Sequence, residues 1–260
     1  MAESPKATSP LGRDEFYVGY LPVPTRLRRF LWRITPTLLV LLAGIAWILA
    51  SAQRDPGAGI WNDAEAKTFV GVIDASPYPL IRVTDEAGEA VTYLLVEVGK
   101  FGGGQRAAPF AGKAVRLSGW VLERDGRRMI ELEPGDTIHA AEDVRDAERF
   151  APPRRETLGE RTLRGEIVDS KCYLGAMKPG DGKTHKQCAT LCIAGGIPPT
   201  FVTRDEAGRR AYYLMTNRDG GPFDERILPL VADQVEMRGS VERRGDLLII
   251  RTDADTIRRY

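Results

Sequence analysis

Two kinds of apolar pattern follow one another along the chain. Residues 34–52 form an unbroken apolar stretch of 19 residues, ITPTLLVLLAGIAWILASA, without a charged side chain. That length is enough for a helix that crosses a hydrocarbon layer of about 30 Å. From residue 64 onwards, short runs such as TYLLV and VRLSGWVLE alternate between apolar and polar residues, which is typical of half-buried strands. The pattern predicts one N-terminal transmembrane helix followed by a mainly β protein.

Basic residues in front of the apolar stretch indicate its orientation. They are Arg26, Arg28, Arg29 and Arg33. The positive-inside rule then predicts a cytoplasmic arm at 1–33, a single-pass transmembrane helix at 34–52 in a bacterial inner membrane, and periplasmic C-terminal domains. Pro36 lies in the first turn of this predicted span, where a missing N–H is tolerated. The alternative is a cleaved export signal, because Ala50-Ser51-Ala52 fits an A-x-A cleavage site.

The part beyond the membrane contains an internal repeat. Its first copy includes FVGVID, DEAG and VRLSGWVLERDG, and its second includes LRGEIVD, DEAG and VEMRGSVERRG. Gly71 and Gly119 of the first copy correspond to Gly165 and Gly239 of the second. Such an ordered series indicates duplication of one structural unit.

Each copy has the element order of a small OB-like antiparallel β-barrel. Three short β-rich runs are followed by a longer link at 99–112 or 217–233, in which a short helix is expected, and then by a closing hairpin. Asp125-Gly126 and Arg244-Gly245 are the predicted hairpin turns. Another small antiparallel barrel or sandwich fits the same periodicity.

These patterns divide the chain into segments. After the arm and the helix we expect a first OB-like β domain at 64–140 and a second at 161–260. Residues 141–160 are charged and contain Pro152-Pro153, so they are interpreted as a semi-rigid linker.

The two copies differ at one place, and this difference indicates where the chemistry lies. Where the first copy has only SPYP, the second has an insertion at 171–199 that contains every cysteine of the chain. THKQCATLCI within it predicts a short helix, with Thr184 as N-cap and Gly195 as the stop. His185, Cys188 and Cys192 then stand at i, i+3 and i+7 on one helix face, and Cys172 enters from the preceding strand.

Cys172, His185, Cys188 and Cys192 are therefore the candidate metal ligands. Three thiolates and one imidazole satisfy a tetrahedral ion such as zinc. The same donors suit an iron–sulfur cluster or copper, for which Met177 is a further nearby thioether. The spacing matches no standard zinc-finger or ferredoxin pattern.

Two other interpretations of the cysteines stay open. In an oxidising compartment, two of the three are expected to pair as a disulfide that staples the insertion. Alternatively, His185 lowers the pKa of Cys188 and the site exchanges thiols.

The insertion is also basic, and its lysines are either solvated side chains or a docking face for an acidic partner. These are Lys171, Lys178, Lys183 and Lys186.

Composition and the remaining motifs exclude several functions. The chain has 260 residues with 37 basic and 36 acidic side chains, so it lacks the basic excess of a nucleic-acid-binding protein. No Ser-His-Asp set, Walker loop or dinucleotide fingerprint is present. His139 is interpreted as a surface residue, and Asp74 and Asp169 as equivalent turn-supporting residues rather than catalytic ones.

The string DSKCYLGAMKPG followed by HKQCATLCIAGGIPP resembles one found in single-pass bacterial membrane proteins, and FYVGYLP before the span is similar to the same group. This resemblance implies no activity. In architecture alone, a membrane anchor followed by an exported OB-like barrel resembles the haem chaperone of cytochrome c maturation. That family's haem-binding histidine motif is absent, so haem chaperoning is not implied.

Together these observations predict a membrane-anchored, periplasm-facing accessory subunit of an electron-transfer or metalloenzyme complex. They favour a non-catalytic subunit over an enzyme. The expected partners are other membrane or periplasmic subunits, and aromatic residues 14–24 are either interfacial or a docking strand for one of them. The alternatives are a scaffold in which zinc or a disulfide holds the insertion, and a thiol-redox protein.

Overall fold

The computed structural model describes residues 23–53, 57–85, 88–142 and 150–260. The chain divides into two compact units, residues 1–55 and 56–260, and each is described by itself. Most of the aromatic segment 14–24, and with it the predicted docking strand, lies outside the described residues.

The N-terminal unit contains one long apolar helix. Helix α1 runs over Thr25–Ala52, and its 28 residues give a length of about 42 Å. It is long and apolar enough to cross a membrane, and none of its residues is buried within the described part of the unit. The predicted apolar helix is thus confirmed, while its orientation stays a prediction.

The helix begins earlier than the apolar stretch suggests. Because α1 starts at Thr25, Pro36 lies in the helix interior and not in a first turn, so that expectation was wrong. Proline has no N–H, and the carbonyl of Trp32 therefore has no i+4 backbone donor. The arginine-containing segment before the stretch is helical because nothing in TRLRRFLW breaks a helix.

The first half of the C-terminal unit is a closed barrel of five strands. They are β1 (Ile60–Asp74), β2 (Leu80–Thr84), β3 (Ala90–Val96), β4 (Ala114–Arg124) and β5 (Arg127–Leu132). Neighbours pair in the order β1-β2-β3-β5-β4, and β1 also pairs with β4 to close the barrel. The β3–β5 pair is parallel and the others are antiparallel. Helix α2 (Gly104–Ala107) lies between β3 and β4, and β6 (Ile138–Ala140) adds to the edge of β4.

The second half repeats this topology. Its strands are β7 (Arg155–Asp169), β8 (Pro199–Arg204), β9 (Arg210–Thr216), β10 (Gln234–Arg244) and β11 (Leu247–Arg251). Strand β9 is parallel to β11, β7 pairs with β10 to close the barrel, and β12 (Arg258–Arg259) adds to β10. Helix α3 (Lys186–Ala194) lies in the insertion between β7 and β8. The prediction of a mainly β chain with two barrels is confirmed.

Matched glycines show that the duplication extends to strand packing. A Cβ at Gly71 would overlap the carbonyl oxygen of Arg82, and a Cβ at Gly165 would overlap that of Val202. At both sites the long first strand of the barrel comes close to the second strand, with which it pairs. The repeated glycine is therefore required by the barrel geometry.

The closing hairpins differ slightly from each other. Asp125 and Gly126 both have positive φ, 50° and 75°, as a tight type I′ turn requires. In the second barrel β10 continues to Arg244, so the turn residues are Gly245 and Asp246 and not the predicted Arg244-Gly245.

The two barrels share an apolar cluster, and this cluster borders the insertion. Leu94 and Met129 of the first barrel pack in it with Cys172, Cys192 and Leu214 of the second. Polar contacts accompany the apolar ones: the backbone N–H of Phe223 donates to Tyr78 Oη at 2.8 Å. The second barrel's insertion is therefore packed against the first barrel.

Candidate metal centre

Cys172 lies directly after the strand that brings it to the site. Strand β7 ends at Asp169, and a π-helical turn at Cys172–Ala176 follows. Asp169 Oδ1 accepts a hydrogen bond of 2.8 Å from the backbone N–H of Cys172, so the expected turn-supporting role of Asp169 is present. The side chain of Cys172 is buried, which fixes its thiol at the inner edge of the insertion.

Helix α3 carries the other candidate ligands. It spans Lys186–Ala194, is preceded by a 3₁₀ turn at Lys183–His185, and ends at Gly195. His185, not Thr184, occupies the N-cap position, and no side chain caps the first turn. The predicted helix and its stop are confirmed, whereas the predicted cap was wrong because the 3₁₀ turn displaces the helix start.

The donor atoms of the candidate ligands form two overlapping groups. Those of Cys172, His185 and Cys188 lie within 4.8 Å of one another, and so do those of Asp169, Cys172 and Cys192. Cys172 belongs to both groups, and its Sγ is 4.0 Å from Sγ of Cys188. All three cysteines of the chain are described and are free thiols, so the described structure contains no disulfide staple.

Asp169 also orients the imidazole. Its Oδ2 is 3.0 Å from Nε2 of His185, and both side chains are buried, with exposed fractions of 0% and 5%. A carboxylate on one ring nitrogen fixes the ring orientation and leaves the other nitrogen available to a metal. The sequence interpretation treated Asp169 as equivalent to Asp74 and therefore missed this second role, because the first copy has no histidine that corresponds to His185.

Lys100 of the first barrel completes the surroundings of the thiols. Its Nζ donates to Sγ of Cys188 at 2.8 Å and lies 3.5 Å from Sγ of Cys192. Sequence reasoning missed it, since it lies between β3 and α2, in a segment without any motif. Its only sequence signal is that it is one of few lysines in the first copy.

Hydrogen bonds, burial and the nearby ammonium shift the pKa values of the groups in the site. Hydrogen bonding to Cys192, followed by burial, raises the pKa of Cys172. The hydrogen bond from Cys172 lowers the pKa of Cys192 to about 7, with Lys100 contributing in the same direction. The hydrogen bond to Cys188 raises the pKa of Lys100. The arrangement favours an ammonium beside thiolate sulfur.

The lysines of the insertion are not uniformly solvated. Lys171 is buried and pairs with Glu131 of β5 at 2.8 Å, and Lys186 pairs with Asp233 at 2.9 Å. Lys178 and Lys183 are exposed. Lys171 therefore fits neither of the two interpretations, a solvated side chain or part of a docking face, because it packs into the boundary between the barrels.

The remaining candidates lie apart from the cluster or on the surface. Met177 is 47% exposed, His139 is an exposed residue of β6, and Asp74 pairs with Arg82 at 3.1 Å. None of them belongs to a Cys/His group among the described residues.

Comparisons with known proteins do not assign the chain to a group. No protein-family model matches it, and no curated protein matches its sequence. Its functional assignment therefore depends on the geometry of the Cys172, His185, Cys188 and Cys192 site.

Proposed function

We propose that this chain is a membrane-anchored metalloprotein that serves as an accessory subunit of an electron-transfer or metalloenzyme complex in the bacterial envelope. The observation that carries the proposal is the convergence of the donor atoms of Cys172, His185 and Cys188 within 4.8 Å. Cys172 lies in the turn after β7, His185 in the 3₁₀ turn before α3 and Cys188 in α3, all within an insertion that the first copy lacks. The insertion is thus where the second barrel has acquired a ligand set.

The donor spacing fits a soft metal ion. Around a tetrahedral ion with sulfur ligands at about 2.3 Å, two ligand sulfurs lie about 3.8 Å apart. The sulfurs of Cys172 and Cys188 are 4.0 Å apart. With Asp169 holding Nε2 of His185, we propose Nδ1 as the third donor and Cys192 as the fourth.

The charge balance also fits. Three thiolates and a divalent ion carry a net charge of −1, and Lys100 offsets that charge at hydrogen-bond distance from Cys188. Burying an unbalanced charge is costly, so a fixed ammonium beside the thiolates stabilises the loaded site. Such a ligand set leaves no open position, which favours an electron-transfer or structural role over catalysis. A redox-active metal held there would supply one-electron chemistry.

We further propose that each barrel is of the OB type. The closed order β1-β2-β3-β5-β4 with a parallel β3–β5 pair, and a helical link between the third and fourth strands, supports this assignment.

The arginines at the start of α1 support insertion with the N-terminus in the cytoplasm. This orientation would put the thiol site in the periplasm beside other envelope subunits.

Metal analysis of the full chain tests the proposal. The chain is purified in detergent under anaerobic conditions, and zinc, iron and copper are measured per chain together with the absorption spectrum. We expect a stoichiometric metal that is lost in Cys172→Ser and Cys188→Ser but retained in Met177→Ser, the matched control at an exposed sulfur. Absence of stoichiometric metal from the wild-type chain would overturn the metal site. A colourless, redox-silent zinc protein would overturn electron transfer and favour the scaffold alternative.

One observation favours a second candidate, thiol-redox exchange. The lowered pKa of Cys192, about 7, makes part of this thiol a nucleophilic thiolate at neutral pH. Because Cys192 is buried, this candidate expects its thiol in metal-free protein to react faster than an ordinary thiol at pH 7 with hydrogen peroxide, a reagent small enough to reach it. It is contradicted if all three cysteines react at the slow rate of an ordinary thiol.

A further inference from the structure

The amine of Lys100 is closer to sulfur than an ordinary hydrogen bond requires. Its Nζ lies 2.8 Å from Sγ of Cys188, whereas N–H···O bonds already average about 2.9–3.0 Å and sulfur is the larger acceptor. An ammonium group has three donors and no lone pair, so Lys100 is not a metal ligand. Charge compensation of a loaded site accounts for the presence of this amine, but it does not require so close an approach to a single sulfur.

Backbone contacts between the barrels hold Lys100 in place. Lys171 Nζ donates to the carbonyl oxygens of Glu97 at 2.9 Å and Gly99 at 2.8 Å. The N–H of Gly102 donates to the carbonyl oxygen of Gly195 at 2.9 Å. A Cβ at Gly195 would overlap the carbonyl oxygen of Lys100. Backbone contacts before and after residue 100 therefore hold the segment that places the Lys100 amine beside the sulfur of Cys188.

The chemistry of the neighbours favours oxidation at this point. Cys188 is half-buried, so small oxidants such as dioxygen reach its sulfur, and accessible cysteines are the ones that oxidise. A second sulfur, that of Cys192, lies 3.5 Å from the same amine. A single oxygen atom placed between Nζ and Sγ of Cys188 would span their separation with ordinary single bonds and little movement of either residue.

We propose that Lys100 and Cys188 form an oxidative modification site, in which dioxygen joins them by an Nζ–O–Sγ bridge. In the overall step, the Cys188 thiol and the Lys100 amine, formed when the ammonium passes one proton to the sulfur, react with one dioxygen to give the bridge and one water. The S–H bond, one N–H bond and the O–O bond break, and one S–O and one N–O bond form. The thiol and the amine together lose four electrons, which reduce both oxygen atoms. Two equivalents of a dithiol reductant restore the thiol and the amine and release the bridging oxygen as water.

The bridge has a consequence for the metal, and that consequence alone rests on the proposed function. It removes the Cys188 thiolate from the donor set, so a chain holds either the bridge or the full metal site. It also joins residue 100 of the first barrel covalently to residue 188 of the second. The modification would thus act as a redox switch on metal loading.

Mass spectrometry of the full chain tests the bridge. Protein purified in detergent under air without reductant is compared with protein prepared anaerobically with dithiothreitol. We expect the aerobic chain to gain one oxygen atom and lose two hydrogens, with a cross-linked peptide that contains Lys100 and Cys188 and is released by dithiothreitol. Lys100→Gln and Cys188→Ser should abolish the cross-link, and Lys113→Gln, at an exposed lysine of the same barrel, should retain it.

The outcomes separate the bridge from the metal site. An aerobic chain with unmodified Lys100, or with a loss of two hydrogens alone as in a disulfide, overturns the bridge. The anaerobic chain is also tested for zinc binding. A bridge without any metal binding overturns the proposed function only, whereas stoichiometric metal without a bridge in air overturns this inference only.

Discussion

At the scale of single residues, Asp169 has a role in the second barrel that its counterpart Asp74 lacks in the first. Its Oδ1 supports the turn at Cys172, as a strand-end aspartate does, and its Oδ2 contacts His185. Asp74, which occupies the corresponding place in the first barrel, instead pairs with Arg82. The imidazole of the insertion thus uses a carboxylate that the barrel already provided.

Substitution of this carboxylate should weaken metal binding without unfolding the chain. Loss of a carboxylate partner of a ligand histidine typically lowers metal affinity about 10–100-fold. We therefore expect Asp169→Asn to lower the affinity for zinc by that factor, measured by competition with a chromophoric chelator. Asp74→Asn is the matched control and should leave the affinity unchanged. Equal affinities for wild type and Asp169→Asn would contradict the assigned orienting role.

Gly165, the repeated glycine where the first two strands of the second barrel come close together, supports a second prediction. A methyl group at residue 165 would overlap the carbonyl oxygen of Val202, and overpacking of this kind typically destabilises a protein by about 1–3 kcal/mol. Gly165→Ala should lower the free energy of unfolding by that amount in urea denaturation. Gly104→Ala is the control, because a Cβ there has no atom within 4 Å. An unchanged free energy of unfolding for Gly165→Ala would contradict the close approach of residue 165 to Val202.

At the scale of elements, helix α3 and the turn at Cys172–Ala176 are additions to a barrel that closes without them. The five strands of the second barrel pair in the same order as those of the first, which has no corresponding insertion. The proposed metal site thus lies in an appended segment, and loss of a bound metal should affect that segment first.

Metal removal should therefore loosen the insertion and leave the barrels folded. We expect chelation to raise amide hydrogen exchange over 172–194, while the amides of β7 and β10 keep their protection. Hydrogen-exchange mass spectrometry of loaded and chelated full chain measures this. Loss of protection throughout both barrels on chelation would instead indicate that the metal is required for the whole fold.

The elements were more predictable from sequence than their mutual contacts. The i, i+3, i+7 spacing of His185, Cys188 and Cys192 predicted a helix with one ligand face, because local periodicity determines which side chains align. Lys100 was not predictable, since only the packing of one barrel on the other brings a residue 88 positions from Cys188 to its sulfur. Lys171 was misjudged for the same reason, because its partner Glu131 belongs to the other barrel.

At the scale of the whole molecule, buried polar contacts join the two barrels around the site. Lys171 and Glu131 form an ion pair whose side chains are 6% and 3% exposed. Arg124 of β4 donates to the carbonyl oxygen of Tyr173 at 2.7 Å and lies over its ring. Lys171 and Tyr173 are the neighbours of Cys172 on either side in the sequence, so the position of this candidate ligand depends on the first barrel as well as the second.

Breaking the buried ion pair should destabilise the C-terminal unit strongly. Lys171→Met leaves Glu131 without its cation, and loss of one partner of a buried pair typically costs about 3–5 kcal/mol. Lys171→Met with Glu131→Met should recover part of this loss, since no charge then stays buried. Lys178→Met, at an exposed lysine of the same insertion, is the control. A loss below about 1 kcal/mol for Lys171→Met in urea denaturation would contradict the coupling of the barrels through this pair.

X-ray absorption at the edge of the bound metal tests the central claim most directly, because it identifies the atoms that surround the metal. For the loaded full chain we predict a shell dominated by sulfur with one imidazole nitrogen, at about 2.3 Å and 2.0 Å if the metal is zinc. In Cys172→Ser the sulfur contribution should fall. A shell of oxygen and nitrogen without sulfur would contradict metal binding by Cys172, Cys188 and Cys192.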